Sequence, residues 1–155
     1  MKKFVFTAVL LLGIVLSFNA CNDDDDVKIT ENDLPETAKT FLTTHFSSAK
    51  FVWGEKDNDS FDIRLDNGFE VEFKTDGTWD NVDSNRAKEV PASIVALIPD
   101  NIAKYISEHH QDAIITKVDK EHDRSGTHNG YEIELNNYND ELVFNLEGDF
   151  IRYDR

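Results

Sequence analysis

The chain has 155 residues, with 31 acidic against 16 basic side chains, a formal net charge of −15 and a single cysteine. That charge argues against nucleic acid or an anionic lipid surface as a partner, and one cysteine excludes an internal disulfide. The length suits one domain, or two small halves packed together.

Lys2 and Lys3 precede an apolar stretch from Phe4 to Phe18 that is short for a membrane-spanning helix, the pattern of an export signal. The run Leu16-Ser17-Phe18-Asn19-Ala20-Cys21 resembles a bacterial lipoprotein signal, cleaved before a cysteine that then carries the lipid. Phe18 and Asn19 depart from its commonest form, and a plain secretory signal or an uncleaved anchor are the alternatives. Residues 1–20 are thus expected as signal peptide and Cys21 as the lipid attachment site, giving an outer-membrane lipoprotein that faces the cell surface or the periplasm. Asn22-Asp23-Asp24-Asp25-Asp26 repels itself and stays extended, so residues 21–33 read as an acidic tether with a polar lead-in from Val27. Several acyl chains together would hold such a protein stably on a membrane.

Pro35 suits a helix start and Glu36 the positive end of its dipole. Leu34, Ala38, Phe41, Leu42 and Phe46 then share one helical face, with His45 beside it. From Ala49 the period changes to two. Ala49–Glu55 is a predicted strand, and Phe61, Ile63 and Leu65 alternate with Asp62, Arg64 and Asp66. Asn67-Gly68 signals a two-residue hairpin with positive φ at both central residues. Phe69, Val71 and Phe73 then alternate with polar residues, and a short strand carries Trp79 and Val82. Strict alternation buries one face and wets the other, as in an antiparallel sheet with a helix on one side.

After a connector at residues 84–97, in which Val90-Pro91 begins a short helical turn, the pattern returns. Ile98-Pro99-Asp100 opens a second helix with Ile102, Tyr105 and Ile106 on its core stripe and His109 in the place of His45. Strands follow at Ala113–Lys120, Tyr131–Asn136, Glu141–Leu146 and Asp149–Tyr153. The expected fold class is α+β, a tandem repeat of a helix plus a four-stranded antiparallel sheet, with repeats at 34–83 and 98–155.

Positions that agree between repeats, such as Phe41/Tyr105, Phe73/Phe144, Gly77/Gly148 and Trp79/Phe150, are assigned to core and turns. Positions that differ are where a specific role can be written. Trp53 faces Lys117 and Arg64 faces Glu134 in this comparison, and exposed Trp and Arg dominate binding hot spots. The candidate contact surface is the open sheet face around Trp53, Arg64, Glu72 and Lys74, with ordinary surface variation as the bland alternative. Glu121, Asp123, Ser125, Gly126 and Glu132 approach calcium-loop spacing, but the first ligand is Glu and strands flank the loop. His122 and His128 lack the cysteines or rigid helix pair of a zinc site. No catalytic motif occurs, so no enzyme, metal site or cofactor is expected.

Leu34-Pro35 through Phe41-Leu42, the strand run Phe61 to Phe73, Asp76-Gly77-Thr78-Trp79, Val90-Pro91 and Ile98-Pro99 together resemble the PepSY-like exported proteins described as similar to β-lactamase-inhibitor protein. The resemblance covers residues 28–155. It implies two helix-on-four-strand units able to form one curved sheet, with no established activity. The chain lacks the disulfides of the secreted inhibitor, and no inhibitory residue carries over. The functional expectation is a non-catalytic exported binding module that contacts another envelope or extracellular protein, in one form as an inhibitor of a protease or hydrolase. The alternative is a small-ligand or calcium-binding envelope protein.

Overall fold

The computed structural model describes residues 27–122, 126–137 and 139–154. In chain order it contains β1 (Val27–Lys28), a 3-10 turn at Glu31–Asp33, α1 (Glu36–His45), β2 (Phe51–Lys56), β3 (Ser60–Leu65), β4 (Glu70–Lys74) and β5 (Trp79–Asp83). After these come α2 (Ala92–Val95), α3 (Asp100–His109), β6 (Ile115–His122), β7 (His128–Leu135), β8 (Glu141–Asn145) and β9 (Phe150–Asp154). All nine strands form one antiparallel sheet in chain order. The chain is therefore mainly β, and the expected four-stranded sheets do not stand apart. They join where Asn81, Val82 and Asp83 of β5 lie opposite Asp119, Val118 and Lys117 of β6.

The helices cover one face of this sheet. Pro35 and Pro99 sit at the N-caps of α1 and α3 with extended ψ of 148° and 134°, so their missing N–H groups are lost where no helical partner exists. Ala38 and Leu42 of α1, and Ile102 and Ile106 of α3, are buried against the strands. Phe73 and Phe144 are wholly buried beneath them. Phe41 meets Phe73 edge-on at 5.5 Å, and Tyr105 meets Phe144 edge-on at 5.6 Å. Phe41 also stacks on Trp79 at 5.8 Å, as Tyr105 does on Phe150 at 4.6 Å. Burial of alternate residues along β3 (Phe61, Ile63, Leu65) and β4 (Val71, Phe73) follows the period of two read from the sequence.

Two readings change. Residues 27–33, expected as a polar lead-in, are partly ordered: β1 pairs with β2, and Ile29 N–H donates to Gly54 O at 3.0 Å. Gly54 makes room, since a Cβ there would lie 2.6 Å from the Phe51 ring. The Asn67-Gly68 turn is also not a two-residue hairpin. Gly68 N–H donates to Leu65 O at 3.0 Å and Leu65 N–H to Phe69 O at 2.9 Å, with φ +87° at Gly68 alone. This is a three-residue loop, a type I turn closed by a left-handed glycine. The same loop recurs at Lys74–Thr78 and Asn145–Asp149, closed by Gly77 and Gly148. Asp76 Oδ1 accepts from Thr78 N–H at 2.8 Å, and that hydrogen bond holds its carboxyl below the usual range.

These last two glycines also seat the hairpins on the helix starts. A Cβ on Gly77 would lie 2.8 Å from Pro35 Cβ, and one on Gly148 would lie 2.7 Å from Pro99 Cβ. Gly77→Ala and Gly148→Ala are each expected to cost about 1–3 kcal/mol through the left-handed φ and this contact. Gly68→Ala meets no neighbour and should cost less, which denaturant midpoints of the three variants will show.

Candidate functional site

The face opposite the helices is built from the residues that alternate with the core. Strand register arranges them in rows. One row runs Trp53, Arg64, Glu70, Asp83, Lys117 and Glu134 across β2 to β7. The next runs Glu55, Asp62, Glu72, Asn81, Asp119, Glu132, Val143 and Arg152 across β2 to β9.

In the first row the half-buried Trp53 ring lies under the Arg64 guanidinium at 5.6 Å, and Arg64 bonds Glu70 at 2.8 Å. Such a contact holds an aromatic and a cation together at a surface. The register places Lys117↔Glu134 in β6–β7 where β2–β3 has Trp53↔Arg64. There the pair is an ion pair, with a cation in place of the tryptophan and an acid in place of the arginine, so the sheet does not require the tryptophan. Trp53, Arg64, Glu70, Glu72, Asn81 and Asp83 border one shallow depression.

Lys117 is the hub that the sequence reading passed over. Its ammonium lies 3.1 Å from Glu132, 3.6 Å from Asp119 and Glu134, and 3.7 Å from Glu141. Burial works against its charge, but the hydrogen bond and charges of these carboxylates more than offset that and hold its pKa above the ordinary lysine value. Arg86 adds a second cation from the connector. Its backbone and that of Asn85 are left-handed, φ 61° and 54°, and Arg86 Nε donates to Glu134 at 2.9 Å. Ser84 pins this turn, with Oγ donating to Lys88 O at 2.6 Å and N–H to Thr116 O at 3.0 Å.

The carboxylates divide the remaining cost unevenly. Burial, then hydrogen bonding and repulsion from Glu132, pushes Glu141 up to about 7. Glu132 itself, though buried, is lowered by hydrogen bonds from Glu141 and Lys117, so Glu141 takes up a proton more readily than Glu132. Among the described residues Glu72 makes no such ion pair. Burial first, then the charges of Asp62, Asp80 and Asp119, push it to about 7. Burial likewise raises Asp119 and Asp83.

Of the four predicted contact residues, Trp53 and Arg64 touch. Glu72 lies one row away on β4. Lys74, at the end of that strand, engages His122 (Nε2, 2.7 Å) and Asp80 (3.8 Å). Glu72 borders this second cleft as well, with Lys74, Asp80 and His122. His45 bonds Ser93 Oγ at 2.8 Å and His128 bonds Gly130 O at 2.8 Å. Of the calcium-spaced residues, Asp123 and Ser125 lie outside the described residues, as do Cys21 and the acidic run 22–26. Among the described residues no His, Cys, Asp and Glu group is arranged to hold a metal ion. The signal for the Lys117 hub was present in the alternation of Lys117 and Asp119 with Val118, and of Glu132 and Glu134 with Ile133. Pairing the two strands was what it lacked.

A single antiparallel sheet with helices on one side and ordered charge on the other defines a one-sided, β-rich layer protein. The chain belongs to the PepSY-like, β-lactamase-inhibitor-like family, whose model matches residues 22–71 and 59–152. A periplasmic protein of the DUF2874 family from Bacteroides vulgatus is 33% identical with a TM-score of 0.72, covering 86% of this chain and 99% of that one. A Bacteroides thetaiotaomicron protein named as calcium-regulated and periplasmic is 32% identical with a TM-score of 0.70, covering 84% and 98%. A further periplasmic protein of unknown function from Bacteroides vulgatus is 29% identical with a TM-score of 0.72, covering 84% and 99%. None of the curated proteins compared with the chain matches it. The resemblance carried by Leu34–Leu42, Asp76–Trp79 and Ile98-Pro99 thus identified the family.

Because the pKa of Glu72 is raised to about 7 from 4.5, the folded chain binds that proton more tightly than the unfolded chain. The stability this supplies is complete below 4.5 and is lost as pH rises through about 7. Glu72→Gln is expected to raise stability above neutral pH by about 1 kcal/mol, after discounting for solvent screening, and to change little in acid. Urea denaturation across the pH range reads both.

Proposed function

We propose that the chain is a non-catalytic exported binding module whose open sheet face contacts another envelope or extracellular protein. The observation that carries this is the Trp53–Arg64 pair, an aromatic and a cation held at 5.6 Å on a face that no described helix covers, at a position where the matching strands use an ion pair instead. Around it lie carboxylates that a cationic partner surface would relieve of mutual repulsion. The inhibitor form of this reading, restraint of an exported protease or hydrolase, rests on the family description alone.

The same reading takes the chain as a duplicated unit, a helix followed by four strands and then repeated, because equivalent positions keep equivalent partners through both halves. It also takes the protein as a lipoprotein anchored at Cys21 in the outer membrane, with the acidic run as tether. The three similar structures named as periplasmic support an envelope location.

A second reading, divalent cation binding, is favoured by two observations. One relative is named as calcium-regulated, and Glu72 sits with Asp62 and Asp119 in a row where like charge raises its pKa. A bound cation would remove that repulsion.

Crosslinking in intact cells followed by pull-down tests the first reading. Trp53→Ala combined with Arg64→Glu is expected to abolish capture of a discrete partner while leaving the melting midpoint near that of the parent. Capture that ignores these changes sinks the assignment of this face. A calcium titration separates the second reading: a midpoint that climbs with calcium, and stops doing so in Glu72→Gln, favours it.

A further inference from the structure

The outer edge of β9 is where the pattern of strand neighbours stops. β2 and β6 occupy matching places, Gly54 opposite Ile63 and Val118 opposite Ile133, and each has a strand on its outer side. Beside β2 lies β1, and beside β6 lies β5. β9 matches β5. Trp79, Asn81, Val82 and Asp83 sit opposite Phe73, Glu72, Val71 and Glu70, with Asp80 bulged. Phe150, Arg152, Tyr153 and Asp154 sit opposite Phe144, Val143, Leu142 and Glu141, with Ile151 bulged. In β5 that bulge is followed by three residues that pair with β6. In β9 it is followed by Arg152, Tyr153 and Asp154, beyond which no described strand lies.

The β5–β6 seam shows what chemistry such an edge accepts. Asn81 meets the acid Asp119 through a 3.2 Å hydrogen bond, apolar Val82 meets apolar Val118, and the acid Asp83 meets the base Lys117. By the same pattern β9 calls for an acid opposite Arg152, an apolar residue opposite Tyr153 and a base opposite Asp154. We propose that this edge pairs with the same edge of a second copy of the chain, antiparallel about a two-fold axis through Tyr153. That register sets the second copy's Asp154 opposite Arg152, tyrosine opposite tyrosine, and the second copy's Arg152 opposite Asp154, so β9 is its own complement.

Backbone direction agrees. Ser84 N–H donates to Thr116 O of the segment entering β6, so Val82, two residues back, also turns its N–H and C=O toward β6. Tyr153 holds the matching place and turns its own outward, forming a hydrogen-bonded pair across the axis. The surroundings suit burial: Leu146, Ile151 and Tyr153 are among the few large apolar side chains left 43–54% exposed. Arg152 and Asp154 already lie 2.6 Å apart on one strand, so pairing assembles four alternating charges. At the opposite end of the sheet β1 has only two residues, the short edge that discourages strand addition.

Sedimentation equilibrium of the purified protein, from micromolar to near-millimolar concentration, tests this. A monomer–dimer equilibrium is expected. Arg152→Asp or Asp154→Arg alone sets like charges opposite each other and should weaken it about tenfold or more, and the two together should restore it. Tyr153→Pro removes the outward N–H and should abolish association, where Tyr153→Phe retains it. Thermal melts establish that each variant is folded. A protein that stays monomeric throughout, a dimer indifferent to these changes, or a charge exchange that fails to rescue a folded variant overturns the proposal.

Discussion

Everything in this fold follows from two phenylalanines that have no access to water, Phe73 and Phe144. Each lies under the aromatic of a ten-residue helix, Phe41 or Tyr105, in edge-on contact. Helices so short are marginal alone, so they persist because this contact and the aliphatic stripe around it remove apolar surface from water. That requirement places the helices on the face where Phe73 and Phe144 project. It leaves the other face to the residues between, which in this chain are overwhelmingly charged.

Crowding acids on a sheet brings a cost that the structure meets in three ways. Lys117 places one positive charge among four acidic side chains. Arg86, held by a left-handed turn in the connector, reaches Glu134 from outside the sheet. At Glu72, which burial and neighbouring acids act on together, a carboxyl is pushed to about 7 and takes up a proton more readily than usual. The strained turn at Asn85 and Arg86 is thus spent on electrostatics, and Ser84, buried at 2% exposure, ties it down.

Much of this architecture was legible in the residues. Leu34-Pro35 and Ile98-Pro99 marked both helices, alternation marked the strands, and comparison of the two halves singled out Trp53 and Arg64, which the structure brings into contact. What escaped notice has a common cause. The union of the two strand sets was implied by the family resemblance alone, because it depends on β5 meeting β6 across the connector and two helices, and nothing local to Val82 announces Val118. The Lys117 hub needs β6, β7 and β8 side by side before its four partners are recognisable. The Asn67-Gly68 pair suggested the tighter turn, and only the Leu65–Phe69 hydrogen bond reveals the extra residue. Val27–Lys28 looked like lead-in because two residues are too few to show a period; Gly54, which makes room beside it, was the available clue.

The meander order also fixes a distance. Val27 lies in the first strand and Asp154 in the ninth, so the two ends of the folded body are eight inter-strand steps apart, up to about 40 Å in a flat sheet at about 4.8 Å per step. The chain therefore enters the folded body at one rim of the sheet and reaches Asp154 at the opposite rim. A fluorophore or fusion joined after Asp154 would report on surroundings a whole sheet's width from Val27.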